Sequence, residues 1–172
     1  MVKAMLSIKN RAIKRMVMYL TLTAFLGLLV SALLGGVAGY SIAFNTSQSL
    51  KGYVFLINQN DKRVERNELI AFIAPKNKYF SNYNHFIKYV WGVSGDQVYF
   101  ENNGTFLING QVKGVAKSFT QTYEMLEHAE SGQIKKGEFF VGTEHKDSFD
   151  SRYKLIGNID EKNIIGRAYL LF

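Results

Sequence analysis

The chain has 172 residues, which is enough for one domain with a modest hydrophobic core. It has no cysteine, so disulfides, thiolate catalysis and cysteine metal sites are excluded. Its formal net charge is +7, but five basic residues and no acid fall in the first fifteen positions. The rest of the chain carries 16 basic against 14 acidic side chains, a net of +2, so we expect no nucleic-acid binding. The three histidines, His85, His128 and His145, match no zinc-ligand pattern, and we expect neither a metal nor a cofactor.

A long uncharged segment follows the basic start of the chain. Residues 16–50 contain no charge, and the apolar stretch 16–38 matches the roughly 20 residues needed to cross the hydrocarbon core of a bilayer. Ser41-Ile42-Ala43 offers small residues for the cleavage of a signal peptide, but the apolar region of a signal peptide is only about 7–15 residues long. We therefore interpret the stretch as a retained membrane anchor.

The placement of the basic residues predicts how the chain is oriented and divided. Because they lie before the apolar stretch and none lies just after it, the positive-inside rule places the N-terminus in the cytoplasm. The predicted division is a basic cytoplasmic tail over residues 1–15, a transmembrane anchor over 16–38 and an exoplasmic domain over 39–172.

The exoplasmic part is rich in short apolar runs, which predict a mainly β fold of antiparallel strands. Asn103-Gly104 and Asn109-Gly110 separate three of the runs and are strong hairpin signals, because both residue types tolerate positive φ. One helix is expected in this part of the chain, over 119–131. The predicted strands are 53–57, 68–74, 86–93, 98–100, 105–108, 111–115, 139–141 and 163–172.

Two serines close to the anchor are suited to acyl transfer. Ser47 and Ser49 are two residues apart, so in an extended segment their side chains point to the same side. One serine is then placed to act as a nucleophile, and the other to donate a hydrogen bond to the oxyanion formed in its attack. The alternative interpretation is a polar linker after the membrane, since serine is an ordinary loop former.

Lys88 is a lone cation in the apolar run 86–93. In an extended run it shares a face with Phe86 and Val90. Such a lysine either extends its amine to water or is partly desolvated. Desolvation disfavours the ammonium form and lowers the lysine pKa from about 10.4 towards neutrality, which makes the amine able to take a proton from a serine.

A polar loop follows the predicted strand 139–141. It brings a hydroxyl, an acid and an arginine within five residues of one another, in Ser148, Asp150 and Arg152. A loop of this composition is either solvated surface or a positioned functional segment, and its own sequence does not decide between them.

Taken together, these segments resemble the type I signal peptidase family of serine–lysine peptidases. The matching blocks are SQSLKG (47–52), IKYVWGVSGDQV (87–98) and GTEHKDSFDSRY (142–153), with RNELIAF (66–72) as a weaker fourth. Their order and spacing fit the family over residues 45–172, as does an anchor before them. The chain is most similar to the TraF-type peptidases of conjugative transfer, whose last block reads SFDSRY as residues 148–153 do.

The resemblance implies an antiparallel β domain of signal peptidase type and a role for each site residue. Ser49 would be the acylating nucleophile and Lys88 its general base. Ser47 would help the backbone N–H of Ser49 to bind the oxyanion, and Ser148 would orient the lysine amine. Four further residues would support the site, two by bracing the loop and two by shaping the turn after the lysine: Asp150, Arg152, Gly95 and Asp96.

Three positions depart from the family pattern. Lys51 replaces the proline of the TraF-type nucleophile block, and Tyr89 stands where an arginine is common. Residues 142–144 read Gly-Thr-Glu in place of the usual Gly-Asp-Asn. The last two departures concern the groups that would support Lys88, not the serine and the lysine themselves.

The implied function is the cleavage of translocated precursor proteins by a single-pass protein of the bacterial inner membrane whose domain is periplasmic. The acyl-enzyme would be resolved by water, or by an amine of the substrate, which would cyclise the product. The implied partners are the lipid bilayer, precursors such as pilin and, through the TraF-type resemblance, components of a conjugative type IV secretion system.

Two alternatives stay open. One is a housekeeping signal peptidase with broad substrates, and the other is a catalytically idle, membrane-anchored assembly protein. The presence of Ser49, Lys88 and Ser148 argues against the idle protein, whereas the altered residues 142–144 keep it open.

Overall fold

A computed structural model of the chain describes residues 2–32, 39–79 and 85–172. The chain divides into two compact units, Met1–Tyr40 and Ser41–Phe172.

The first unit contains one long helix, α1 (Val2–Ala32). Its segment Arg11–Ser31 is apolar enough and long enough to cross a membrane, since 21 residues at about 1.5 Å per residue span about 31 Å. The helix also runs through the predicted basic tail from residue 2 onward, where no proline or glycine interrupts it. Residues 33–38 of the predicted anchor lie outside the described residues.

The rest of the described chain forms two antiparallel β-sheets. The strands are β1 (Tyr40–Phe44), β2 (Val54–Asn58), β3 (Leu69–Ile73), β4 (His85–Gly92), β5 (Gln97–Phe100), β6 (Thr105–Ile108), β7 (Gln111–Val115), β8 (Gly132–Gln133), β9 (Glu138–Gly142), β10 (Ile159–Asp160) and β11 (Ile164–Leu170). The seven-stranded sheet has the order β1-β2-β11-β3-β4-β9-β10, the four-stranded sheet has the order β7-β6-β5-β8, and a 3-10 helix (Glu161–Asn163) lies between β10 and β11. The mainly β fold, which follows an apolar helix in the sequence, confirms the predicted fold class.

Two main apolar clusters pack against the seven-stranded sheet, the second of them joins it to the four-stranded sheet, and strand β4 contributes to both. Val90 packs into the first cluster with Phe72 and Val141, and Trp91 packs into the second with Phe106. Successive residues of a strand point to opposite faces, so one strand reaches both clusters. The strand that carries Lys88 is therefore fixed from two sides.

The predicted strands are all present, with ends shifted by at most two residues. The hairpin signals are confirmed as well. Asn109 and Gly110 form the two-residue turn between β6 and β7 with φ of 51° and 78°, the positive values that a tight hairpin requires.

The predicted helix over 119–131 is wrong. The hydroxyl of Thr120 accepts hydrogen bonds from the backbone N–H groups of Thr122 and Glu124, which closes a turn instead of a helix. Within this range only Leu126 is fully buried, so the apolar stripe that stabilises a surface helix is lacking. Three strands were not predicted: β1 lies inside the uncharged run, and β8 and β10 have only two residues each.

Candidate active site

The structure brings Lys88 into contact with two of the predicted serines. Its Nζ donates a hydrogen bond to Ser49 Oγ at 2.9 Å and another to Ser148 Oγ at 2.9 Å. Lys88 is 5% exposed and Ser148 is 1% exposed. The amine thus lies between two hydroxyls in a nearly closed environment.

The position of Lys88 explains why its amine is desolvated. Strand β4 pairs with β3 on one side, where Ile70 lies opposite Lys88, and with β9 on the other. Burial lowers the pKa of Lys88 from 10.5 to about 8, while the charge of Asp150 raises it and the charge of Arg152 lowers it. Of the two interpretations open from the sequence, the desolvated lysine is the one that the structure contains.

A single asparagine organises the loop that carries Ser49. The side-chain amide of Asn45 donates hydrogen bonds to the carbonyl oxygens of Leu50 (3.0 Å) and Gly52 (2.9 Å). Its Oδ1 accepts from the backbone N–H and the hydroxyl of Ser47, each at 3.1 Å. Sequence analysis missed Asn45, although asparagine at the start of a polar segment is a known signal for a loop closed by a side chain.

The hydroxyls of Ser47 and Ser49 lie 2.8 Å apart, and Ser47 Oγ also accepts a hydrogen bond from the Ser49 backbone N–H at 3.4 Å. The two side chains are therefore on the same side, as expected, but for a different reason. Residues 47–50 form a bend, not an extended strand. The bend places the second hydroxyl beside the N–H group that the resemblance assigns to the oxyanion.

A buried ion pair braces the loop that carries Ser148. Arg152 Nε donates to Asp150 Oδ1 at 2.7 Å, and one terminal nitrogen of the same guanidinium donates to Asp150 Oδ2 at 3.0 Å. That nitrogen also donates to the carbonyl oxygen of Thr143 at 2.6 Å. Ser151 joins the loop to β9 by exchanging hydrogen bonds with the backbone of Val141. The loop is thus a positioned segment and not solvated surface.

Gly95 and Asp96 lie in the turn after β4, and their hydrogen bonds in the described structure are made to residues other than Lys88 and the two serines that it contacts. Gly95 has a φ of 92°, which a residue with a side chain rarely adopts. The carboxylate of Asp96 accepts hydrogen bonds from Arg66 (2.9 Å), from the backbone N–H of Val93 (2.7 Å) and from the amide of Asn109 (2.8 Å). These bonds, that of Arg66 first, lower the pKa of Asp96 to about 2, against the effect of burial.

The positions that depart from the family pattern lie beside this arrangement. Thr143 is buried, and its backbone N–H and carbonyl contact Asp150 and Arg152, whereas its hydroxyl has no hydrogen-bond partner among the described residues. Tyr89 is half-exposed and adjoins Lys88 along the strand, so its side chain points to the opposite face of the sheet. The brace of the loop therefore depends on the main chain at position 143, which tolerates the changed side chain.

Within the described ranges, no three histidine, aspartate or glutamate side chains are grouped where they could hold a metal ion. The chemistry available at the site is that of the serine hydroxyls and the lysine amine. A serine hydroxyl that is hydrogen-bonded to a desolvated amine has a base within reach of its proton, which is one way in which a nucleophile is activated.

Comparison with known proteins identifies the class to which this site belongs. The model of the signal peptidase family, peptidase S26, matches residues 10–172, and the chain belongs to that family. No curated protein sequence matches the chain significantly. Among solved structures, a signal peptidase I from Enterococcus faecalis V583 is similar at 21% identity, covering 62% of this chain and 97% of its own, with a TM-score of 0.40.

The family assignment fixes the general activity. The chain is a signal peptidase-like serine protease, and its substrates are precursor proteins. Together with membership of this family, the apolar segment of α1 indicates a protein anchored to a membrane.

Proposed function

We propose that Ser49 is the nucleophile of this protease and that Lys88 is its general base. The observation that supports this proposal most directly is the position of the lysine amine, 2.9 Å from each of the hydroxyls of Ser49 and Ser148. Ser148 holds the amine at the nucleophile, and Ser47, together with the backbone N–H of Ser49, binds the oxyanion. The supporting roles of Asp150, Arg152, Gly95 and Asp96 are those given by the resemblance.

The reaction follows from the chemistry of these groups. The neutral amine of Lys88 takes the proton of Ser49 as Oγ bonds to the carbonyl carbon of the scissile peptide. The developing negative charge is stabilised by the Ser49 N–H and the Ser47 hydroxyl. The ammonium then gives its proton to the leaving amine, which leaves an acyl-enzyme. Water, deprotonated by Lys88, attacks the ester and releases Ser49.

The proposal includes a topology and a substrate class. Five basic residues before the uncharged apolar stretch 16–38, and none just after it, support an N-terminus in the cytoplasm and a periplasmic domain at the bacterial inner membrane. The sequence SFDSRY at 148–153 supports a TraF-type role in conjugative transfer. The substrates are then pilin or another conjugative precursor delivered by a type IV secretion system, and attack by a substrate amine on the acyl-enzyme yields a cyclic product.

The dyad is tested by the processing of a candidate precursor in membranes that hold the full chain at equal levels. Ser49→Ala and Lys88→Ala are each expected to abolish cleavage. Ser131→Ala and Lys62→Ala are matched controls, since both side chains are exposed and neither contacts the site. Normal processing by either dyad variant would refute the proposed roles. A wild-type chain that binds precursors but cleaves none would favour the idle assembly protein.

The substrate class needs a separate measurement. A product lighter than the linear product by one water indicates cyclisation, and the linear mass indicates hydrolysis. Depletion of the protein is expected to cause accumulation of one or a few conjugative precursors. Accumulation of many unrelated precursors would instead indicate a housekeeping signal peptidase.

A further inference from the structure

Residues 118–126, which replace the predicted helix, form a compact hairpin that the proposed mechanism does not use. Its ends are joined by a hydrogen bond from Leu126 N to Ser118 O at 2.8 Å. Within it, Thr120 N donates to Glu124 O at 2.8 Å, and the Thr120 hydroxyl accepts from the backbone N–H of the same glutamate at 3.0 Å. The hairpin therefore has a single defined shape, which we call the 118–126 hairpin.

The hairpin exposes three large apolar side chains. Phe119 is 51% exposed, Met125 is 71% exposed, and Tyr123 at the tip is 88% exposed. Tyr123 also adopts a φ of 61°, a conformation that favours glycine and asparagine over tyrosine. Strained residues of this kind cluster at active and ligand-binding sites, and large exposed apolar patches mark interaction sites.

The base of the hairpin is tied to the residues on both sides of Ser148. Lys117 forms an ion pair with Asp147, the residue before this serine. Phe149, the residue after it, packs against the small cluster that buries Leu126 of the hairpin. The polypeptide that flanks Ser148 is thus held on both sides by the segment that carries the hairpin.

A second connection runs through Tyr79. Its hydroxyl donates to the carboxylate of Glu124 in the hairpin at 2.7 Å, and its ring meets the ring of Phe149 edge-on at 5.7 Å. Lys78 adds an ion pair to the same carboxylate. The hairpin, residues 78–79 and the loop of Ser148 are therefore joined by one continuous set of contacts, which ends at the serine that accepts a hydrogen bond from Lys88.

We propose that the 118–126 hairpin is a substrate-binding element of this protease. Tyr123, with Phe119 and Met125, binds apolar side chains of the precursor that lie further from the scissile bond than its immediate neighbours. The inference rests on the proposed dyad. A polypeptide is favoured over a lipid surface because Lys117, the residue before the hairpin, and the cluster around Leu126 contact the two neighbours of Ser148, a connection that insertion into lipid does not need. Aromatic and methionine side chains together adapt to varied apolar partners.

The test compares Tyr123→Asn with Tyr99→Thr in the full chain. Asparagine accepts the positive φ at the tip, so the first variant removes the apolar side chain and is expected to unfold at the wild-type temperature or above it. Tyr99 is another exposed tyrosine, on strand β5, and its variant is the matched control. Two substrates are used: a whole precursor, and a short peptide that covers only the residues next to the scissile bond.

We expect Tyr123→Asn to raise KM for the precursor about fivefold or more, the effect of losing roughly one buried aromatic contact, and to raise KM for the peptide much less. The control is expected to leave both values unchanged. Equal changes for the two substrates, no change for the precursor, or the same change in the control would overturn the proposal. Weaker binding of Tyr123→Asn to vesicles without any precursor would also overturn it, because the surface would then contact lipid.

A binding measurement keeps the inference separate from the dyad. Precursor is captured on chains that carry Ser49→Ala alone or together with Tyr123→Asn, so that the result does not depend on cleavage. Weaker capture by the double variant supports the hairpin even where the dyad roles fail, and equal capture refutes the hairpin even where Ser49 proves to be the nucleophile.

Discussion

The burial of Lys88 predicts that the protein becomes more stable when this lysine is replaced by methionine. The lowering of the lysine pKa from 10.5 to about 8 corresponds to about 3 kcal/mol by which burial disfavours the ammonium form. Methionine has a similar length and no charge, so it removes this cost. It also leaves the buried Ser148 hydroxyl without its lysine partner, which costs roughly 1 kcal/mol. We expect Lys88→Met to be inactive and about 2 kcal/mol more stable than wild type at pH 7.

The pH dependence of this difference is the sharper part of the prediction. Below about pH 8 both the folded and the unfolded wild-type chains hold the proton, and the cost of burying the charge is fully present. Between about pH 8 and 10.5 the unfolded chain still holds the proton while the folded chain has lost it, so the stability of the wild type rises with pH. The advantage of Lys88→Met should therefore fall to near zero by about pH 10.

Urea unfolding of the detergent-solubilised full chain measures this difference. The fluorescence of Trp91 reports on it, because this is the one tryptophan of the chain and its side chain is buried beside β9. Lys62→Met, at an exposed lysine, is the control and should show no such dependence on pH. The reasoning is refuted if Lys88→Met is less stable than wild type at pH 7, or if its advantage is the same at pH 7 and pH 10.

Three further predictions concern activity and packing. Cleavage needs the neutral amine of Lys88, so kcat/KM should rise with pH around a midpoint of about 8 and should be about one tenth of its maximum at pH 7. A pH–rate profile measures this midpoint, and a value near 10.5 would contradict the prediction. Asn45→Asp keeps the acceptor oxygen but loses both donated hydrogen bonds, so kcat should fall about tenfold or more with little change in thermal stability. An unchanged kcat would show that the loop holds Ser49 in place without these two hydrogen bonds. A Cβ at Gly166 would overlap the backbone oxygen of Asn58 in β2, whereas one at Gly132 meets nothing within 4 Å. Gly166→Ala should therefore lower the melting temperature strongly and Gly132→Ala should not, and equal melting temperatures would contradict the packing argument.

Features set by neighbouring residues were predictable from the sequence. The turn at Asn109-Gly110 is an example, since it depends only on two residues that accept positive φ between apolar runs. The failed helix is also a local effect, but one that involves hydroxyl hydrogen bonds to nearby backbone groups. The spacing of apolar residues does not show that a hydroxyl competes with the helical backbone for these N–H groups, which is why the predicted helix over 119–131 is wrong.

The site itself could be predicted only in part. Whether Lys88 reaches water or is desolvated depends on β3 and β9, which pair with its strand on both sides, and β9 begins about 50 residues further along the chain. The same holds for Arg66, whose partner Asp96 is 30 residues away. The family resemblance named the residues that meet at the site, because it carries information about the tertiary structure that spacing and periodicity lack.

The buried pair beside the lysine has a consequence for how the enzyme responds to temperature. The carboxylate of Asp150 raises the pKa of Lys88 and the guanidinium of Arg152 lowers it, so the effects of the two charges oppose each other. The exclusion of water from the amine therefore remains the main determinant of the pKa of Lys88. Water that enters a loosened site would return the amine to its protonated form while the sheets are still intact. On warming, the midpoint of the pH–rate profile should therefore move upward relative to the pKa of a free lysine, which falls with temperature, before the fluorescence of Trp91 changes, and the protease would lose activity ahead of unfolding.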